Sequence, residues 1–177
     1  MKSLLSAALV AIPLAFGASA ASAQAFPSKP IRWLVPYPPG GGSDFLARTI
    51  GQQLSTQIGQ SVVIENKPGA ATAIGASEVA RAAADGYTVL SADNGTMVFN
   101  PALYSKLSYN PDKDLTPITL MGRFPMILVA GPSADAKSAK DFLAKAKAAP
   151  GKISYGSAGA GSPHHLAMEM LKNNAKL

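Results

Sequence analysis

The sequence predicts an α/β fold: a parallel sheet with crossover helices. Three observations carry this. Short apolar runs alternate with segments of helical period. Strands separated by helices cannot be hairpin neighbours, so they pair in parallel through crossovers. Two glycine-rich stretches each join a strand to a helix, the place where α/β sheets bind ligands.

Ile31 to Val35 is a short apolar run closed by Pro36 and reads as the first strand. The loop Pro36 to Ser43 follows, and then a helix from Asp44 to about Gln57. Leu46, Ile50, Leu54 and Ile58 recur every four residues and share one face. Ser43 or Asp44 suits its N-cap, since a short side-chain oxygen accepts from first-turn amides. Val62-Val63-Ile64 is the second strand, ended by the turn signal Asn66-Lys67-Pro68-Gly69. A helix is expected over Ile74–Ala84 and a third strand at Tyr87–Leu90.

Residues 100–113 read as irregular, with one helical turn near Ala102. Two strand pieces are expected at Ile118–Met121 and Met126–Ala130. Ser138-Ala139-Lys140-Asp141 is an acidic capping box opening a helix to about Ala148, which Pro150-Gly151 stops. Ile153-Ser154-Tyr155 reads as a strand and Gly156–Ser162 as a loop. A last helix starts at Pro163, whose missing amide hydrogen costs nothing at the first helical position.

Composition narrows the function. There is no cysteine among 177 residues, which removes disulfides, thiolate metal sites and a thiol nucleophile. The net charge is +6, but Lys and Arg are scattered, against the clustered pattern of nucleic-acid binding. A mild positive field favours anionic small molecules.

The first 23 residues read as a signal peptide. Lys2 is a short basic start, Leu4–Phe16 an apolar segment, and Ala21-Ser22-Ala23 a cleavage signal. Ala18-Ser19-Ala20 offers a second cut. The alternative, a membrane anchor, needs a longer apolar run than this one.

Glycine in both loops lets backbone approach a ligand closely, and the amides at a helix start suit a carboxylate or phosphate. Sharper motifs are not met. No Lys follows the glycines as a P-loop requires, neither loop has G-x-G-x-x-G, and neither Ser157 nor Ser162 sits in G-x-S-x-G. His164 and His165 are neighbours, so their side chains point about 100° apart and do not converge on one metal ion. His165 suits a hydrogen bond to a ligand carboxylate or to loop backbone, and equally a capping or packing role. No cofactor is expected.

Several stretches in order resemble the extracytoplasmic solute receptors of the tripartite tricarboxylate transporter type, the Bug receptors. They are Pro36–Asp44, Glu65–Ala70, Asp85–Leu90, Asn100–Tyr104, Tyr109–Ile118 and Tyr155–Ser162 with His165-Leu166. The resemblance implies a periplasmic binding protein-like fold (type II), two lobes of parallel or mixed sheet with flanking helices. Residues 24–100 would belong to lobe I and 101–177 to lobe II. It also implies a periplasmic receptor, not an enzyme and a monomer, that captures a mono-, di- or tricarboxylate and delivers it to membrane permease subunits.

Residue by residue, the ligand contacts it implies are Pro39, Gly40, Gly41, Gly42, Ser43 and Asp44 from the first loop, and Asn94 and Thr96 beyond the third strand. From the second loop they are Ser157, Ala158, Gly161, Ser162 and His165. The stretch Ala70–Gly75 departs from the family's glycine-rich pattern, so no contact is carried onto Thr72. Family members are roughly twice as long. The resemblance therefore implies an incomplete lobe II with an unpaired strand edge and an uncovered helix face. It also implies weak ligand binding or none by the chain alone. A truncated non-functional remnant is one alternative. The other, a secreted α/β enzyme acting on a small acid, finds no nucleophile–base pair to carry it.

Overall fold

The computed structural model describes residues 25–177. The signal-peptide reading, including the cleavage near Ala23, lies outside the described residues.

Three parallel strands form the sheet in the order β2-β1-β3: β1 Ile31–Val35, β2 Val62–Asn66 and β3 Thr88–Leu90. Ile31 stands opposite Val62, and Arg32 opposite both Val63 and Thr88. The central strand is the apolar one because it is covered on both faces. Leu34 and Val35 are fully buried, and Trp33 donates its indole N–H to Ser91 Oγ at 2.9 Å. The core sets Trp33, Val35 and Ala47 against Tyr37, Ile50, Val62, Ile64, Val89 and Met121.

Helix α1, Gly42–Ile58, crosses from β1 to β2. Its expected apolar stripe is only half buried, and its deepest positions are Ala47 and Gly51. A Cβ at Gly51 would stand 3.1 Å from Ile64 Cδ1, so the missing side chain is what lets the helix lie this close to β2. The N-cap expectation is corrected. Gly41 holds that position without a side-chain bond, and Asp44, inside the first turn, accepts from Gly40 N at 2.9 Å instead. The helix ends at Gly59, which is left-handed as C-terminal glycines commonly are.

Helix α2, Ala73–Ala80, is shorter than expected and starts behind an unusual turn, Ala70-Ala71-Thr72, described below. After β3 the chain makes one wide π-helical turn, Gly95–Phe99, and runs into α3, Asn100–Leu103. Helix α4, Pro111–Asp114, is capped by Asn110, whose side chain accepts from the amides of Asp112 and Lys113.

Half of the capping box forms: Ser138 accepts from Asp141 N at 3.1 Å and opens α5, Ala139–Ala148, while the Asp141 carboxylate reaches back to Lys137 N at 3.0 Å and not to Ser138 N. Ser162 likewise caps α6, Pro163–Ala175, accepting from His165 N at 3.3 Å.

Ile118–Met121, Met126–Ala130 and Ile153–Tyr155 are corrected from strand to unpaired extended chain. A strand exists only in a ladder with a partner, and among the described residues no partner reaches them. The segment is anchored on α1 near Met121. A Cβ at Gly122 would meet Leu46 at 3.1 Å, and one at Gly42 would meet the Phe124 ring at 3.1 Å.

Candidate functional site

A cavity of about 320 Å³ opens beyond the carboxyl end of β1. Its walls are three short stretches: Pro36-Tyr37-Pro38, Pro68 to Thr72, and Ala158-Gly159-Ala160, with Tyr104 beside them. No Asp, Glu, Lys, Arg or His is among them. A wider hollow of about 550 Å³ lies between the C-terminal end of α1 and the start of β2, at the opposite end of the sheet, where Ser55 to Val62 line it. The smaller one is the candidate, because the chain leaving β1, the turn after β2 and the second Gly-rich loop meet at it.

The first wall is set by a polar clamp behind it. Asp44 is buried and accepts from Gly40 N at 2.9 Å, Arg48 Nε at 3.0 Å and Asn66 Nδ2 at 2.9 Å. Asn66 Nδ2 also donates to Tyr37 O at 3.0 Å, tying the loop to the end of β2. The Arg48 guanidinium and the Gly40 amide hold the Asp44 carboxyl down to about 2, so it is an anion at any ordinary pH. A carboxylate already engaged this way does not receive a second one. Asp44 therefore shapes the loop.

Tyr37 extends into the molecule and donates to Asp93 Oδ2 at 2.7 Å; burial and that carboxylate push its phenol well above the usual range. Asp93 Oδ1 accepts from Thr96 N at 3.0 Å, so one carboxylate braces both a cavity wall and the turn after β3.

The second wall is strained. Ala70, Ala71 and Thr72 have φ of 45°, 50° and 79°, three consecutive non-glycine residues in the left-handed region. Buried polar groups hold them there. Thr96 Oγ1 donates to Thr72 Oγ1 at 2.9 Å, Asn100 Nδ2 to Ala71 O at 2.6 Å, and Tyr109 Oη to Thr96 O at 2.6 Å. Asn100 Oδ1 is buried with no hydrogen-bond partner among the described residues. Backbone strain over-determined in this way clusters at ligand sites.

The third wall meets the second at Gly161, whose φ is +78° and whose missing Cβ would sit 2.7 Å from Tyr104 Oη and 3.1 Å from Ala71 Cβ. His165 Nδ1 accepts from Gly161 N at 3.2 Å, which is the loop-backbone role.

Of the residues marked from sequence, only Ala158 lines the cavity. Pro39, Gly40, Gly41 and Gly42 are exposed and outside its lining, and Ser43 is half-buried. Asn94 is exposed, Thr96 is buried behind Thr72, Ser162 caps α6, and Ser157 bonds only within its own loop. Sequence reasoning missed Tyr37, Tyr104 and the Gly69–Thr72 turn. The Pro68-Gly69 turn signal pointed at the last of these.

A model of the tripartite tricarboxylate transporter family receptor matches residues 46–177. The chain is 39% identical over 172 residues to a UPF0065 protein from the tcbD-tcbE intergenic region of Pseudomonas sp. strain P51, covering 96% of this chain and 51% of the relative. Rpa4515 of R. palustris, solved with adipate, superposes with a TM-score of 0.83 at 35% identity, over 86% of this chain and 51% of that one. MatC from Rhodopseudomonas palustris, solved with bound malate, gives 0.80 at 33% over 86% and 52%. The chain thus spans about half the length of the relatives it matches, and within that span its fold is theirs. On the family match and these identities, the chain belongs to the tripartite tricarboxylate transporter receptor family.

Proposed function

We propose that this chain forms a carboxylate-binding face of a periplasmic solute receptor, which hands its ligand to the permease subunits of a tripartite tricarboxylate-type transporter. Residues 1–23 act as the export signal, 24–100 as lobe I and 101–177 as part of lobe II. The observation that carries the reading is the cavity itself. It is small, it lies at the carboxyl end of a parallel strand, and three short stretches with no Asp, Glu, Lys, Arg or His among them line it. A neutral cleft of this size suits a small organic acid that must be released again. The malate and adipate bound by the two R. palustris proteins are of this class.

No nucleophile is paired with a base at the cavity, which supports binding without chemistry. Tyr37, the Gly69–Thr72 turn and Ala158–Ala160 make the contacts, while Asp44, Asp93 and Asn100 hold those walls in place.

Calorimetric titration of the chain with malate, adipate and a tricarboxylate tests this, with inorganic phosphate as the control anion. Saturable binding of one carboxylate, even at a Kd of about 1 mM, and none of phosphate is expected. No heat and no shift in melting temperature with any carboxylate would contradict it.

A further inference from the structure

A neutral cleft fixes its ligand through a few well-placed polar groups. Three residues around the cavity, Pro36, Pro38 and Pro68, have no amide hydrogen to give. Polar side chains come from Tyr37, Thr72 and Tyr104 alone. Two of these are already engaged. Tyr37 Oη donates to Asp93 Oδ2 at 2.7 Å. Thr72 Oγ1 is buried in bonds with Thr96 Oγ1 at 2.9 Å and Asn100 Nδ2 at 3.2 Å.

Tyr104 differs. The chain has five tyrosines, and the hydroxyls of Tyr37, Tyr87, Tyr109 and Tyr155 each hold a partner within the protein. The Tyr104 hydroxyl holds none among the described residues, and Tyr104 lines the cavity.

Its place is fixed from both sides. Tyr104 follows α3, and its backbone N–H donates to Asn100 O at 3.0 Å. Asn100 also holds the strained turn through Ala71 O. The hydroxyl reaches across to the third wall at Gly161. A Cβ there would stand 2.7 Å from Tyr104 Oη but 3.6 Å from Cζ. Of Tyr104, then, it is the oxygen and not the ring carbon behind it that the missing Cβ accommodates. A ring kept for packing alone has no use for that oxygen. Nor does Gly161 N engage it, since that amide donates to His165 Nδ1.

We propose that Tyr104 is a specificity-determining residue of the cavity, its phenol O–H donating to one carboxylate oxygen of the bound acid. A phenol is a neutral donor, and its bond to a carboxylate is charge-assisted, about twice as strong as one between neutral groups. The cleft thus selects a carboxylate without holding a cation. The inference rests on the carboxylate reading and names the side chain that recognises the ligand's charged end.

The test compares the parent chain with Tyr104→Phe, which keeps the ring and removes the hydroxyl. Adipate and malate are titrated into each, and binding is followed by NMR with every tyrosine labelled at Cζ. The ligand-free melting temperature of Y104F should equal the parent's, because no bond within the protein is lost. Affinity for the acid should fall about tenfold. In the parent, the tyrosine signal that Y104F lacks should move furthest as adipate is added. A fall of less than about threefold, a Tyr104 signal that stays still while adipate saturates the chain, or a lowered melting temperature of ligand-free Y104F would each overturn this proposal alone. A parent chain that binds neither acid would overturn it together with the carboxylate reading.

Discussion

Gly161 and Ala71 stand 3.1 Å apart, counting the Cβ that Gly161 lacks, and respond oppositely to a single carbon. Gly161→Ala adds a Cβ against Tyr104 Oη at a φ of +78°, which alanine disfavours. We expect a loss of roughly 1–3 kcal/mol in urea unfolding. Gly131→Ala, with open space around it, serves as the neutral control. Ala71→Gly relieves one of three left-handed alanine or threonine positions and is expected to be neutral or to stabilise by up to about 1 kcal/mol. A substantial loss in Ala71→Gly would show that the turn is not strained as described.

Asp44 gives the pH dependence. Its carboxyl is depressed to about 2 in the fold, against about 3.9 unfolded, so the clamp is fully stabilising above that unfolded value and fades as pH falls toward 2. Asp44→Asn keeps the shape and removes the charge. It should destabilise by about 2 kcal/mol at pH 7, the scale of a buried charged hydrogen bond lost. The gap between variant and parent should close during acid unfolding between about pH 4 and 2. A gap that persists unchanged below pH 2 would place the clamp's energy elsewhere.

At the scale of elements, what could be read in sequence was what is local. The apolar spacing of α1, the Ser138–Asp141 box, Pro163 behind its Ser162 cap, and the three sheet strands all answer to neighbours a few residues away or to a strong central run. Met126–Ala130 was recognisable as apolar and extended, but pairing is decided by a partner that its own residues do not specify. The site followed the same division. The glycine loops were visible as loops. That Thr72 would be wrapped by Thr96 and Asn100, and that Tyr37 would be braced by Asp93, depends on residues from 20 to over 50 positions apart.

Asn100 is the element-scale test. Its amide is the bolt between α3 and the strained turn, bonding Ala71 O and Thr72 Oγ1. Asn100→Ala should cost about 2–3 kcal/mol, because it leaves a buried carbonyl and hydroxyl short of a donor. Amide exchange should rise across 69–73 while β1 stays protected. Unchanged exchange in that turn would contradict the role given to Asn100.

Across the whole molecule, order is concentrated around β1. The strand bonds β2 on one side and β3 on the other, with both faces covered, so its amides should exchange slowest of all. Residues 118–130 should exchange fastest among the apolar segments. The cavity lies between these two regimes, with two walls on the sheet side and one on the loop before α6.

The account turns on that cavity taking a carboxylate. The most direct measurement is an amide-resolved NMR titration with malate and adipate. Saturable shifts should gather at Tyr37, Ala71, Thr72, Gly159 and Ala160, and leave Ser55 to Val62 unmoved. Shifts confined to Ser55–Val62 or scattered over surface lysines, or no saturable shift with either acid, would contradict it.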